Sequence, residues 1–279
     1  MPQVEARRDT FRAWARGRTW CIRDGRGREA ALQVLKDILK TQPALFRRVR
    51  ALRTKMGGRP EPEMGLIPYL ADPRRAAVDV GAANGAYLEA LIPHAASLVG
   101  FEANPDRARD LTRLYGRQAR IICAAVSSTS GRARLRIPGD RWGLATIAPE
   151  NDLSGAAVRE EEVAQVTLDE LGLPPVGFIK IDIEGHELEA LKGAAGLLAR
   201  DRPALLVEAE ERHRANAVAS VRAFLEPFGY AGFMLADGRI APIERFDPAV
   251  DQGVALEQHE LLNSGSYTGR YVNNFVFVA

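Results

Sequence analysis

The chain has 279 residues, 46% of them hydrophobic and 27% charged, enough to bury a sizeable core in one main domain with an appendage. Its 38 Lys and Arg against 36 Asp and Glu leave a net charge of +2, too near balance to imply polyanion binding by the molecule as a whole. Cys21 and Cys123 lie too far apart for a disulfide framework or a zinc spacing, no apolar run reaches the length of a membrane span, and the start lacks a secretory signal's apolar stretch, so a cytoplasmic setting is expected.

Residues 1–60 are rich in arginine, at positions 7, 8, 12, 16 and 18 and again at 47, 48, 50 and 53. Leu32, Leu35, Ile38 and Leu39, then Leu45, Phe46, Val49 and Leu52, recur at helical spacing and predict two amphipathic helices. This basic helical extension is expected to pack on the main domain, line a substrate entrance or pair two subunits into a homodimer. No nucleic-acid role is expected, because a solvated basic face is the commoner meaning of such a run. GGRPEPEMG, residues 57–65, marks the boundary, and 61–279 is read as the main domain.

Ala76–Val80 is a short apolar strand, followed by a turn carrying Gly81 and Gly85 and a helix through Tyr87, Leu88, Leu91 and Ile92. The turn therefore lies at a helix N-terminus, a place suited to close approach by a nucleotide-like ligand. Ser97–Phe101 is the next strand and delivers Glu102, roughly 20 residues past the glycines, the spacing at which a carboxylate reaches ribose hydroxyls. Asp79, just before the turn, would repel a pyrophosphate but suits the ammonium of an amino-acid-bearing cofactor such as S-adenosylmethionine.

Asn104 caps a helix over 105–115, 119–126 reads as a third apolar strand, and 132–137 alternates as an antiparallel hairpin arm. Residues 138–164 lose periodicity and are read as a loop near the site that helps choose the acceptor. A buried strand over 176–183, a helix over 187–198, a strand over 203–207, a helix over 214–226 and strands over 230–235 and 274–278 complete the pattern. The expected fold is α/β, a Rossmann-like, mostly parallel seven-stranded sheet with helices on both faces and a partly antiparallel edge.

Acids gather at two strand ends: Asp182 and Glu184 after FIKI, and Glu208 and Glu210 in LLVEAE. In an open α/β sheet both ends face the same crevice as Asp79 and Glu102. Three readings stand side by side. One carboxylate removes a proton from a substrate hydroxyl or amine; or Asp182 and Glu208 hold a divalent cation such as Mg; or the acids cap helices and bond to Lys180, Arg212 or His213. His186 is a further candidate base.

Several ordered motifs resemble the FkbM family of S-adenosylmethionine-dependent methyltransferases: DVGAANGAY at 79–87, FEANP at 101–105, AAVS at 124–127, TLDEL at 167–171, FIKIDIEGHE at 178–187, LKGA at 191–194 and RPALLVE at 202–208. The likeness covers about residues 76–210 and departs from the family pattern at Ala83, Ala103 and Cys123. It implies a class I methyltransferase fold and an enzyme of the EC 2.1.1 type. The cofactor set is then Asp79, Gly81, Ala82, Asn84, Gly85, Glu102, Ala103, Asn104, Ala125, Val126 and Asp182, with Asp182, Glu208 and His186 as catalytic candidates. O-methylation of a small-molecule, sugar or natural-product hydroxyl is the activity it implies. The rival readings are an NAD-dependent oxidoreductase on a similar sheet and a non-catalytic nucleotide-binding adaptor.

Overall fold

The computed structural model describes residues 61–139, 142–149, 151, 153, 157–253 and 270–279; the helices and dimer role expected of residues 1–60 lie outside them. After a 3-10 turn the chain forms α1 (Ile67–Leu70), β1 (Ala76–Val80), α2 (Ala86–Leu91), β2 (Ser97–Phe101) and α3 (Pro105–Tyr115). β1 is buried along its whole length, as an AAVDV run inside a parallel sheet requires. α3 starts where expected because the Asn104 side chain accepts the main-chain N–H groups of Asp106 at 3.0 Å and Arg107 at 3.4 Å.

The single strand expected over 119–126 is two: β3 (Arg120–Ile122) and β4 (Ala125–Val126), which join different sheets. β5 (Gly131–Pro138) is the antiparallel arm expected, but its partner β6 (Val158–Val166) occupies part of the segment read as loop. β6 escapes a periodicity reading because VREEEVAQV buries only Val163 and exposes a charged face.

Next come β7 (Val176–Ile181), α4 (Glu187–Lys192), α5 (Ala195–Asp201), β8 (Ala204–Glu208), α6 (Ala217–Leu225), β9 (Ala231–Ala236), β10 (Arg239–Pro242), α7 (Pro248–Asp251) and β11 (Asn274–Val278). The one helix expected over 187–198 divides at Gly193, whose backbone runs so close to the Ser127 carbonyl that a Cβ would lie 1.9 Å from its oxygen.

The main sheet has the order β10-β9-β11-β8-β7-β1-β2-β3. β3, β2, β1, β7 and β8 are parallel neighbours, whereas β11 runs antiparallel between β8 and β9 and β10 folds back on β9. The expected seven, mostly parallel strands are thus eight in a mixed sheet. The added strand follows a tight turn at Asp237-Gly238, both with positive φ, a hairpin signal present in the sequence. A separate three-stranded sheet, β4-β6-β5, stands beside it.

α1, α2 and α3 cover one face through Ile67, Leu88, Leu91, Leu111 and Tyr115, packed with Ala77, Phe178 and Leu206. α4, α5 and α6 cover the other through Leu191, Leu198, Val218, Val221 and Leu225, packed with Val78, Ile179 and Leu205. Each such fully buried large apolar side chain contributes about 1.5–3 kcal/mol relative to exposure. β1 pairs with β2 on one side and β7 on the other, so the strand order reverses beside β1 and opens a crevice at the carboxyl ends. Among the described residues no helix is long and apolar enough to cross a membrane.

Candidate cofactor and acceptor site

The crevice begins with the turn after β1. The main-chain N–H groups of Gly81 and Ala82 donate to the Phe101 carbonyl at 3.0 and 2.9 Å, folding the turn against the end of β2. Gly81 has φ 85 and lies against the backbone of Asp182, where a Cβ would fall 1.8 Å from the carbonyl oxygen. No other residue fits there. Gly85 packs its bare Cα on the Tyr115 ring, and Asn84 accepts the Ala86 N–H at 3.1 Å, so the helix start is organised locally.

Glu102 is buried, and each carboxylate oxygen accepts one main-chain N–H, Oε2 from Ala83 and Oε1 from Asn104, both at 2.8 Å. Burial pushes its pKa up and the two N–H bonds oppose that rise. The carboxylate is thereby held rigidly at the end of β2. Each oxygen keeps a lone pair for a further donor.

Asp79 is only 1% exposed, and its Oδ2 has no hydrogen-bond partner. Burial pushes the carboxyl up to about 7; the Lys180 charge lowers it, and Asp182 and Glu102 raise it further. A buried acceptor left open beside a cleft fits a cationic ligand group.

The cleft has a volume of about 970 Å3 and is lined by Asp79, Gly81, Ala82, Asn84, Asp182 and Glu208 among others. A smaller hollow lined by Glu102, Ala103, Ala125 and Val126 shares Gly81, Ala83, Asp182 and Glu184 with it. The expected cofactor residues therefore converge, except that Gly85 and Asn104 act behind the surface by shaping the turn and capping α3. His186 lines neither space; its Nε2 lies 2.8 Å from the Ser127 hydroxyl.

The strand-end acids are tied by protein cations. Lys180, 1% exposed, places Nζ 3.9 Å from Asp182, 3.7 Å from Glu208, 2.8 Å from the Asn274 side-chain oxygen and 5.0 Å from the Tyr87 ring centre. Glu208 also accepts the Asn273 side-chain N–H at 2.7 Å. Burial and the neighbouring Asp182 push its carboxyl well above the usual range, against the pull of Lys180. Glu184 lies 2.6 Å from His213 Nε2. Burial works to raise Glu210, but Arg212 and the Tyr271 hydroxyl bond to it and hold it down at about 2.

The turn that presents these acids is braced from below and above. Glu187, buried, accepts the N–H groups of Ile183 at 3.1 Å and Gly185 at 3.0 Å, while Thr146 and Asn151 each donate to the Glu184 carbonyl at 2.9 Å. The segment between β5 and β6 thus reaches the site, as expected, with Gly143 and Leu144 on the cleft wall.

Asp182 and Glu208 do not fit a divalent cation: the Lys180 ammonium already lies within 4 Å of both. No group of three or more ligand-type His, Cys, Asp or Glu side chains converges among the described residues. Sequence reading passed over the central place of Lys180 and missed Tyr271, Asn273 and Asn274. The polar pair immediately before the apolar FVFV strand was the available signal.

The fold is similar to several solved structures. Methyltransferase FkbM from Methylobacillus flagellatus KT is 18% identical with a TM-score of 0.45, covering 78% of this chain and 50% of its own, so this chain spans half the length of that relative. Precorrin 8w decarboxylase of Methanobacterium thermoautotrophicum is 13% identical with a TM-score of 0.42, covering 80% of this chain and 92% of its own. A Streptococcus mutans protein solved in complex with SAH is 9% identical with a TM-score of 0.43, covering 78% and 98%. No curated protein matches the sequence. The family model described as the methyltransferase FkbM domain matches residues 79–231, more than half of the chain. That match takes in the glycine turn, Glu102, Asp182 and Glu208, and the chain belongs to the FkbM methyltransferase domain family.

Proposed function

We propose that the chain is an S-adenosylmethionine-dependent methyltransferase that acts on a hydroxyl of a small molecule or saccharide. The observation that carries this reading is the buried, unpartnered Asp79 oxygen at the cleft, with Glu102 held rigidly on the adjoining strand end. Bound there, the cofactor supplies an electrophilic methyl group on a sulfonium.

The chain's own residues supply position and proton handling. Asp79 receives an ammonium, Glu102 accepts from vicinal hydroxyls, and Gly81 keeps the turn free of a side chain. Asp182, whose side chain is 29% exposed at the cleft, orients the acceptor and takes its proton. Glu208, beside Lys180 and bonded to the Asn273 side chain, is a further hydrogen-bonding partner for the acceptor. Lys180 fixes both carboxylates and takes the place a metal would occupy. Ser127 holds the His186 ring away from the cleft, which leaves Asp182 as the better base.

A diphosphate cofactor such as NAD meets the Asp79 carboxylate at the turn, which disfavours the oxidoreductase reading. The test is a thermal-shift comparison on the full chain. SAH raises Tm and NAD does not; the reverse result sinks the proposal. Incubation of labelled S-adenosylmethionine with cell extract, read by mass spectrometry, then separates a catalyst, which yields one labelled product, from an adaptor, which yields none.

A further inference from the structure

A second hollow, of about 590 Å3, shares Ala236, Asp237 and Arg270 with the main cleft. It lies along the β9-β10 hairpin, and three arginines line it, Arg239, Arg245 and Arg270, against the single acid Asp237. Arg270 is anchored, with Nε 2.6 Å from the buried Asp251 carboxylate and Nη1 3.7 Å from Asp237. Arg239 and Arg245, both exposed, make no ion pair with any described residue, whereas Asp237 and Asp251 engage Arg270. Ile240, 62% exposed, adds an apolar surface beside them.

The charge along the combined space is therefore polar. Asp182, Glu184, Glu208 and Glu210 line the cleft together with Arg212, and Arg239, Arg245 and Arg270 line the hollow beyond Asp237. Lys180 and Arg212 already engage the cleft acids, so an anion finds no free cation among the described residues at the first end and is held at the second, where guanidinium groups make charge-assisted, often paired, hydrogen bonds to oxyanions. A neutral molecule gains nothing from that arrangement.

We propose that the arginine hollow binds an anionic group of the methyl acceptor. The acceptor class is then a hydroxyl compound that also carries a phosphate, sulfate or carboxylate, with the anion on Arg239, Arg245 and Arg270 and the hydroxyl turned toward Asp182. The word acceptor rests on the methyl-transfer reading above; the anion site itself does not. Built on the hairpin, the site selects the substrate without touching the reacting atoms.

The test is isothermal titration calorimetry on the full chain with saturating SAH, using inorganic pyrophosphate, glucose 6-phosphate, glucuronate and glucose as probes. The phosphorylated or carboxylated sugar binds at least about tenfold more tightly than glucose, and its binding weakens as salt is raised. The Arg239→Gln/Arg245→Gln variant, altered only at exposed positions, loses at least about tenfold in anion affinity and keeps its SAH affinity. Glucose 6-phosphate and glucuronate separate a phosphate preference from a carboxylate one. Equal binding of all sugars, absence of binding by every anionic probe, or unchanged anion affinity in the variant overturns the proposal. If SAH itself fails to bind, the methyl-transfer reading falls, while pyrophosphate binding by wild type against variant still decides the anion site.

Discussion

Lys180 and Asn274 meet at 2.8 Å in the interior, ammonium to side-chain oxygen, although 94 positions separate them in the chain. The bond exists because β11 inserts antiparallel beside β8 and sets Asn274 opposite Glu208 in register. One buried cation is thus shared among Asp182, Glu208 and, through space, Asp79.

Removing that cation leaves the acids facing one another in the interior. Lys180→Met is expected to cost about 3–5 kcal/mol of stability, the usual consequence of stranding one partner of a buried ion pair. Urea denaturation of the variant measures it. A loss below about 1 kcal/mol shows that the carboxylates are neutral without Lys180 and that the pairing contributes little.

Glu102→Ala removes an acceptor that serves both the turn and the expected ligand. SAH affinity should fall by about 1–3 kcal/mol, with some loss of order at Ala83, whose N–H loses its partner. Calorimetric titration with SAH is the measurement, and wild-type affinity would contradict the hydroxyl-binding assignment.

Stability of the ligand-free chain should fall as pH rises across neutrality. Asp79 and Glu187 are both pushed up to about 7 by burial, from ordinary values of about 4. A carboxyl with a raised folded-state pKa contributes stability that is fully present below about 4 and is lost as pH rises through about 7, at up to about 1.4 kcal/mol per pH unit for each group. Glu210, held at about 2, acts in the opposite sense, but its window lies below pH 4.5 and leaves the range from 5 to 8 untouched. Denaturation at pH 5 and pH 8 should show the wild type weaker at pH 8 and the difference reduced in Asp79→Asn. Identical pH profiles for the two proteins would remove Asp79 as a source.

Chelation provides a separate check on Lys180. With an ammonium between Asp182 and Glu208, EDTA should leave methyl transfer unchanged, and titration with Mn(II) should give no binding at this site. Activity lost to EDTA and restored by magnesium or manganese would return the acids to the role of metal ligands.

The carboxyl end of the sheet was legible in the residues themselves. β1, β2, β7 and β8 are short, mainly apolar and largely buried runs, Asn104 caps α3 within three residues, and Asp79, Glu102, Asp182 and Glu208 stand at strand ends, where chain order alone predicts convergence. Local sequence carries those features because their causes are local. The division of 119–126 between two sheets, the charged strand β6 and the partners of each acid depended on which segments came to lie side by side. Nothing in FIKIDIEG says what Lys180 meets, since β7 is buried along its whole length and the Asn274 side chain reaches the ammonium from a strand 94 positions away. Tertiary structure alone set the electrostatics: a carboxylate's pKa follows from its burial and the charges brought near it, and here those charges arrive from strands far apart in the chain.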